Sequence, residues 1–177
     1  MTQSDTELLF GLHLHQRVIQ DTVLGAQEYV WIATANLKDM HVPIKGGFRP
    51  VLEVFDQMAE RGVTFRIVHS DLPSRPFRKT LERFPRLIAG ALELQICPRS
   101  HWKMVIVDGR STYFGSANFT GAGLGARKED KRNLELGVLS FDLDWVRKIQ
   151  SLFDSFWMGL YCEACALRRQ CPDPIET

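Results

Sequence analysis

The chain has 177 residues, 45% of them hydrophobic and 24% charged, with a formal net charge of +1. That length supports one domain with a single sizeable core, and the ordinary composition without internal repeats excludes collagen-like, solenoid and disordered classes. No stretch approaches the roughly 18 apolar residues of a membrane span. The opening MTQSDTELLFGLHLHQR places acids before a short patch broken by His13 and His15, unlike a signal peptide, so a cytoplasmic protein without membrane insertion is expected.

In chain order, Ser4 or Asp5 is a candidate cap for a first helix running to about Gly25. EYVWIATANL is dense in β-branched and aromatic residues and reads as a buried strand, and HVPIKGG as a loop. RPVLEVFDQMAERG has helical spacing at Val51, Val54, Phe55 and Met58, with Gly62 in the place of a C-terminal cap. VTFRIVHS is the next strand, and the strand–helix–strand unit predicts parallel pairing in an α/β fold, a mixed β-sheet flanked by helices. FRKTLERFPRLIAGA is helical but divided at Pro85, and LELQIC is a short strand. KMVIVD and STYFGS form a hairpin turning at Gly109, FTGAGLGARKEDKRN a mobile glycine-rich loop, LELGVLS a strand. LDWVRKIQSLFDSFW is a helix with Trp145, Ile149, Phe153 and Phe156 on one face. The core pattern stops there, which divides the chain into a domain over 1–158 and a cysteine-containing tail over 159–177.

Charge is uneven. Residues 1–60 carry 4 basic and 8 acidic side chains, residues 61–132 carry 14 and 6, and residues 133–177 carry 4 and 7. The basic excess peaks in SRPFRKTLERFPR, where Arg75, Arg78 and Lys79 are candidate contacts for a polyanion; a solvated helix face explains the same segment equally well. Arg127, Lys128, Lys131 and Arg132 in the glycine-rich loop are further candidates for a backbone phosphate, with a solvated loop the equal alternative.

HWKMVIVDGRSTYFGSAN, residues 101–118, carries the chemistry. Strand alternation places His101 and Lys103 on one surface and turns Asp108 to the other. The return strand brings Ser116 and Asn118 near them. An imidazole, an ammonium, a hydroxyl and a carboxamide together suit a phosphate: donors hold the non-bridging oxygens while the imidazole attacks phosphorus or moves a proton.

His101, Lys103, Asp108, Gly115, Ser116 and Asn118 match, with the same gaps, the H-x-K-x4-D-x6-G-S-x-N signature of the phospholipase D superfamily, which the chain resembles over roughly residues 15–157. The resemblance implies a phospholipase D-like fold with one motif per chain. It implies a metal-independent phosphodiesterase that forms a phosphohistidine, with His101 as nucleophile and Lys103, Asn118 and Ser116 on the phosphoryl oxygens. Glu135 stands where the family places a carboxylate bonded to the nucleophile's other ring nitrogen, and Asp108 supports the site from outside it. The family mechanism uses two motif histidines. With only one here, the resemblance implies a two-fold homodimer, and small single-motif members favour nucleic acid over lipid. A phosphatidyltransferase, or a binding module that only holds phosphates, are the alternatives.

Cys162, Cys165 and Cys171 form C-x2-C-x5-C followed by Pro172, and Cys97 supplies a fourth thiol. This spacing resembles the iron–sulfur staple of several DNA-processing nucleases and glycosylases; zinc uses the same ligands. A structural role is expected, because the phosphohistidine chemistry needs no cofactor.

Overall fold

The computed structural model describes residues 5–175. A seven-stranded mixed sheet runs through the domain in the order β1 (Thr6–Phe10), β9 (Leu136–Ser140), β8 (Ser111–Gly115), β7 (Met104–Val107), β2 (Tyr29–Thr34), β5 (Thr64–His69), β6 (Leu92–Ile96). β2, β5 and β6 are parallel, joined through α1 (Val51–Glu60) and α2 (Arg75–Leu81), and the remaining pairs are antiparallel. Gly62, with φ 94°, ends the α1 turn as expected.

Strand alternation divides the core in two. Val30, Ile32, Phe65, Ile67, Val105, Val107 and Tyr113 face one side, packing on a π-type helix (Leu14–Thr22), α1 and α2. Ala33, Val68, Met104 and Ile106 face the other, under α3 (Leu143–Trp157). Both faces of the sheet's centre are thus covered, as its parallel half requires.

Three expectations need correction. Thr6–Phe10 is an edge strand on β9, not the start of a helix; Gly11, at φ 57°, turns the chain before the helix begins at Leu14, and Ser4 lies outside the described residues. HVPIKGG is the body of a hairpin, β3 (His41–Ile44) with β4 (Gly47–Pro50), because Gly46 and Gly47 take the positive φ its turn needs. On α3 the buried residues are Val146 and Phe153, whereas Trp145 is 49% exposed and stacks on Phe114 from outside. After α3 the tail turns back across the molecule, and the Asp173 carboxylate accepts the Ile96 N–H at 2.9 Å on the free edge of β6.

Candidate active site

Four strand ends meet at one end of the sheet. Ala33 pairs with Met104, which puts Thr34 beside Lys103 one step on. The Gly115 N–H donates to the Lys103 carbonyl at 3.1 Å, and the Ser116 N–H to the Leu136 carbonyl at 3.0 Å. The segment entering β7, the exit from β8, the entry to β9 and the end of β2 therefore surround one place. Tyr113 fills the space beneath it, lying across Gly115 and Gly137, where a Cβ on Gly137 would strike the ring. Burial pushes the Tyr113 phenol above its ordinary range, so it stays protonated there.

His101 is exposed. The Lys103 Nζ lies 3.1 Å from its Nδ1 and 3.2 Å from its Nε2, and donates to the His101 carbonyl at 2.9 Å. Burial holds the Lys103 ammonium below the usual lysine range, while the nearby Glu135 carboxylate pulls the other way. An ammonium and an imidazole are thus presented side by side at an open mouth.

Asn118 is fixed from behind. Its Oδ1 accepts from the Ala35 N–H at 3.0 Å and the Asn36 N–H at 3.3 Å, and lies 3.2 Å from the Thr34 hydroxyl. Two backbone donors leave no choice of amide orientation: the oxygen faces them, and the Nδ2 donors face away. Thr34 was not singled out in the sequence, where a threonine closing an apolar strand carries no signal; its hydroxyl donates to the Asn36 carbonyl at 2.9 Å and accepts from the Phe119 N–H at 2.9 Å.

Ser116 and Glu135 depart from expectation. The Ser116 hydroxyl is spent on the Glu135 carboxylate and accepts from the Leu136 N–H at 3.1 Å, so it is not free for a phosphoryl oxygen. Glu135 also accepts from Asn133 Nδ2 at 3.1 Å and does not bond His101; its influence on the site runs through Lys103. Strand parity puts Glu135 on the same face as Lys103, two strands apart, which allows that influence. Asp108 stands at the far end of β7, about 16 Å from Lys103 along the strand. At φ 53° its carboxylate accepts the N–H groups of Gln27, Glu28 and Tyr29 at 2.8, 2.9 and 2.8 Å, which fastens the start of β2 and leaves no catalytic part for it.

Arg75, Arg78 and Lys79 are exposed on α2. That helix is tied to the loop leaving β2 by the Ser74 N–H on the Leu37 carbonyl and by Thr80 on Asp39, which places the basic face at the Asn118 end of the sheet. Arg78 Nε is engaged with the Pro73 carbonyl at 3.2 Å, and Arg86 pairs with Asp56 and Glu60. Arg127 and Lys128 are exposed, but the glycine-rich loop beside them is packed rather than a mobile rim. Gly123 and Gly125 are buried where a Cβ would meet backbone, and the Arg132 guanidinium gathers the carbonyls of Gly11, Gly123 and Gly125, which removes it from phosphate binding.

His15 and His69 do not complete the site. His15 and His69 are buried, each with Nδ1 on a backbone carbonyl, Leu124 at 2.8 Å and Asp71 at 2.6 Å, and burial holds both below the usual histidine range. Cys97, Cys162, Cys165 and Cys171 line one cavity on the other side of the segment leading to His101.

The family described as cardiolipin synthase, PLD-like domain, matches residues 19–157. The chain belongs to the phospholipase D-like family. Solved structures agree on the fold of this phospholipase D-like domain. Nuc from Salmonella typhimurium, a phospholipase D family member, is 16% identical with a TM-score of 0.59, covering 86% of this chain and 93% of that one. TrmBL2, an archaeal chromatin protein described as having a novel mode of DNA binding, is 18% identical with a TM-score of 0.57 over 86% of this chain and 51% of that one. Phosphatidylserine synthase from Haemophilus influenzae is 20% identical with a TM-score of 0.59 over 87% of this chain and 38% of that one. The chain thus spans nearly all of Nuc, about half of TrmBL2 and less than half of the synthase. A comparison with curated proteins found no match. No helix among the described residues is long and apolar enough to cross a membrane.

Proposed function

We propose that this phospholipase D-like domain is a metal-independent phosphodiesterase that cleaves DNA or RNA through a phosphohistidine. The observation that carries the reading is Lys103 Nζ against both ring nitrogens of an exposed His101, beside a carboxamide whose oxygen is locked away. In this scheme a ring nitrogen of His101 attacks phosphorus and the bond to the leaving ester oxygen breaks. Lys103 and the Nδ2 of Asn118 stabilise the charge gathering on the non-bridging oxygens, a term that needs fixed donors in place before reaction. A second imidazole gives the leaving oxygen its proton and then takes one from the water that breaks the phosphorus–nitrogen bond.

That second imidazole belongs, in our reading, to His101 of another copy of the chain. His15 and His69 are buried and engaged through one ring nitrogen, which disqualifies them from protonating an ester in an open site. An apolar surface adjoins the site: Leu8, Phe10 and Leu136 lie exposed on the β1–β9 edge, and Leu134, fully exposed, stands next to Glu135. A two-fold partner covering that surface would bring the two His101 rings together. Nucleic acid is favoured as substrate by the exposed Arg75 and Lys79 at the same end of the sheet, cations suited to a repeating phosphate backbone. The domain contributes no membrane-spanning helix among its described residues.

The test is cleavage of labelled single- and double-stranded DNA and RNA in excess EDTA, wild type against His101→Ala. Cleavage lost in the variant supports the reading. Salt-dependent binding without cleavage by a folded dimer would make the domain a phosphate-holding module, and turnover of phospholipid alone would make it a lipid enzyme.

A further inference from the structure

We infer that Cys97, Cys162, Cys165 and Cys171 hold an iron–sulfur cluster that fastens the C-terminal tail to the segment entering the active site. All four thiols border one cavity of about 330 Å³. They come from two distant parts of the chain: Cys97 directly follows β6, and the other three lie in the tail beyond α3.

The path of the tail is defined although it buries no side chain of its own and meets the body through few apolar contacts, Tyr161 on Phe156 among them. No residue from 160 to 175 is buried, and Leu160, Tyr161 and Leu167 are 68%, 46% and 38% exposed. Its order comes from consecutive tight turns, with the N–H groups of Cys162, Cys165, Arg168 and Cys171 donating to Gly159, Cys162, Cys165 and Arg168, and from the single bond of Asp173 to the Ile96 N–H. A segment of this length without a core of its own does not repay the entropy of ordering, and small coreless segments are ordinarily stapled by disulfides or metal. All four cysteines are free thiols, which leaves the metal.

The spacing of the thiols favours a cluster over a single ion. Zinc holds thiolates at about 2.3 Å, so four of them converge to within about 4 Å of one another. Among the described residues no three His, Cys, Asp or Glu side chains are grouped so as to hold a metal ion. The thiols line a cavity instead, as suits a polynuclear cluster in which the thiolates are shared among several iron atoms. Arginine accompanies them. Arg99 lies against Cys165, and Arg168 has a buried Nη1 with no partner in the same cavity wall. A donor without an acceptor is costly, and cluster or thiolate sulfur would accept from it and be offset in charge. Loading takes ferric and ferrous iron with sulfide, so that no separate oxidant is needed, and releases the four thiol protons as the iron–sulfur bonds form.

The consequence reaches the catalytic strand. The Cys97 N–H donates to the His69 carbonyl at 2.8 Å and its carbonyl accepts from Ser100, so the residue anchored to the cluster is four before His101 and held to β5. The cluster positions this segment and takes no part in phosphoryl transfer.

The experiment is purification of the full chain under anaerobic conditions, with iron and sulfide supplied, followed by assay of iron, zinc and acid-labile sulfide and by visible absorption. The inference expects iron and sulfide in equal amounts and a chain resistant to trypsin at Arg168 and Arg169, with iron and resistance both lost in Cys171→Ser. Zinc without sulfide, or a folded wild-type chain that takes up no iron, overturns it. Because the decision rests on the wild type, misfolding of the variant does not obscure it.

Discussion

Lys103 reaches back over its own strand to place Nζ 2.9 Å from the His101 carbonyl and within 3.2 Å of both nitrogens of the His101 ring. The ammonium is thus positioned by the backbone of the residue proposed as nucleophile. Lys103→Met keeps the length of the side chain and removes the charge, and kcat is expected to fall by about 10²–10³-fold, the usual loss for one preorganised donor. Thermal stability should not drop, since burial disfavours the charged lysine. Unfolding at lower temperature together with unchanged kcat would assign Lys103 to the fold instead.

Glu135 acts on that lysine through charge. Burial depresses the Lys103 pKa and the carboxylate opposes it, so Glu135→Gln should depress it further. An active site that needs the ammonium loses rate as pH rises through this pKa, and the alkaline limb of the kcat/KM profile is expected to move to lower pH in the variant. A limb that stays in place would show that Glu135 only holds Ser116 and Asn133.

Asp108 belongs to the motif in sequence and to the scaffold in space. Asp108→Asn retains the positive φ that asparagine tolerates but weakens charge-assisted bonds to three backbone N–H groups. The expected cost is about 1–3 kcal/mol in urea unfolding, with kcat of the folded protein unchanged. A lost kcat at full stability would return Asp108 to the site.

Acid sensitivity should come from the buried histidines. His15 and His69 have folded pKa values below the ordinary value of about 6.5, through burial first, with Arg132 adding to the depression at His15 and Asp71 and Asp173 opposing it at His69. Below that pH the unfolded chain binds protons that the native state refuses, so stability is full above about pH 6.5 and declines as pH falls, by up to about 1.4 kcal/mol per pH unit for each histidine. Urea midpoints from pH 8 to pH 5 should trace this decline, and His15→Gln with His69→Gln should flatten it. A wild-type midpoint constant across that range contradicts the assignment.

Local pattern made much of this legible. The gaps between His101, Lys103 and Asn118, the alternation along KMVIVD and the turn at Gly109 all depend on near neighbours, and the hairpin they predict is present. Parallel pairing of β2 with β5 followed from the helix between them. What escaped is set by distant residues. Thr34 matters only because the fold carries Asn118 back across 84 positions, and Ser116 is spent on Glu135 only because β8 and β9 pair in one register. TELLF has too few residues to distinguish a strand from a helix, and it is decided by the free edge of β9. Arg132 looked like a phosphate ligand by charge, yet the carbonyls of a loop wound by glycines needed a donor first.

The most direct measurement is a rapid quench of wild-type protein with end-labelled single-stranded DNA, followed by peptide mass spectrometry. Covalent catalysis predicts an acid-labile phosphoryl adduct on His101 that forms before product and decays as product appears. Cleavage that proceeds with no adduct at any time would contradict it and leave water, not His101, as the group that attacks phosphorus.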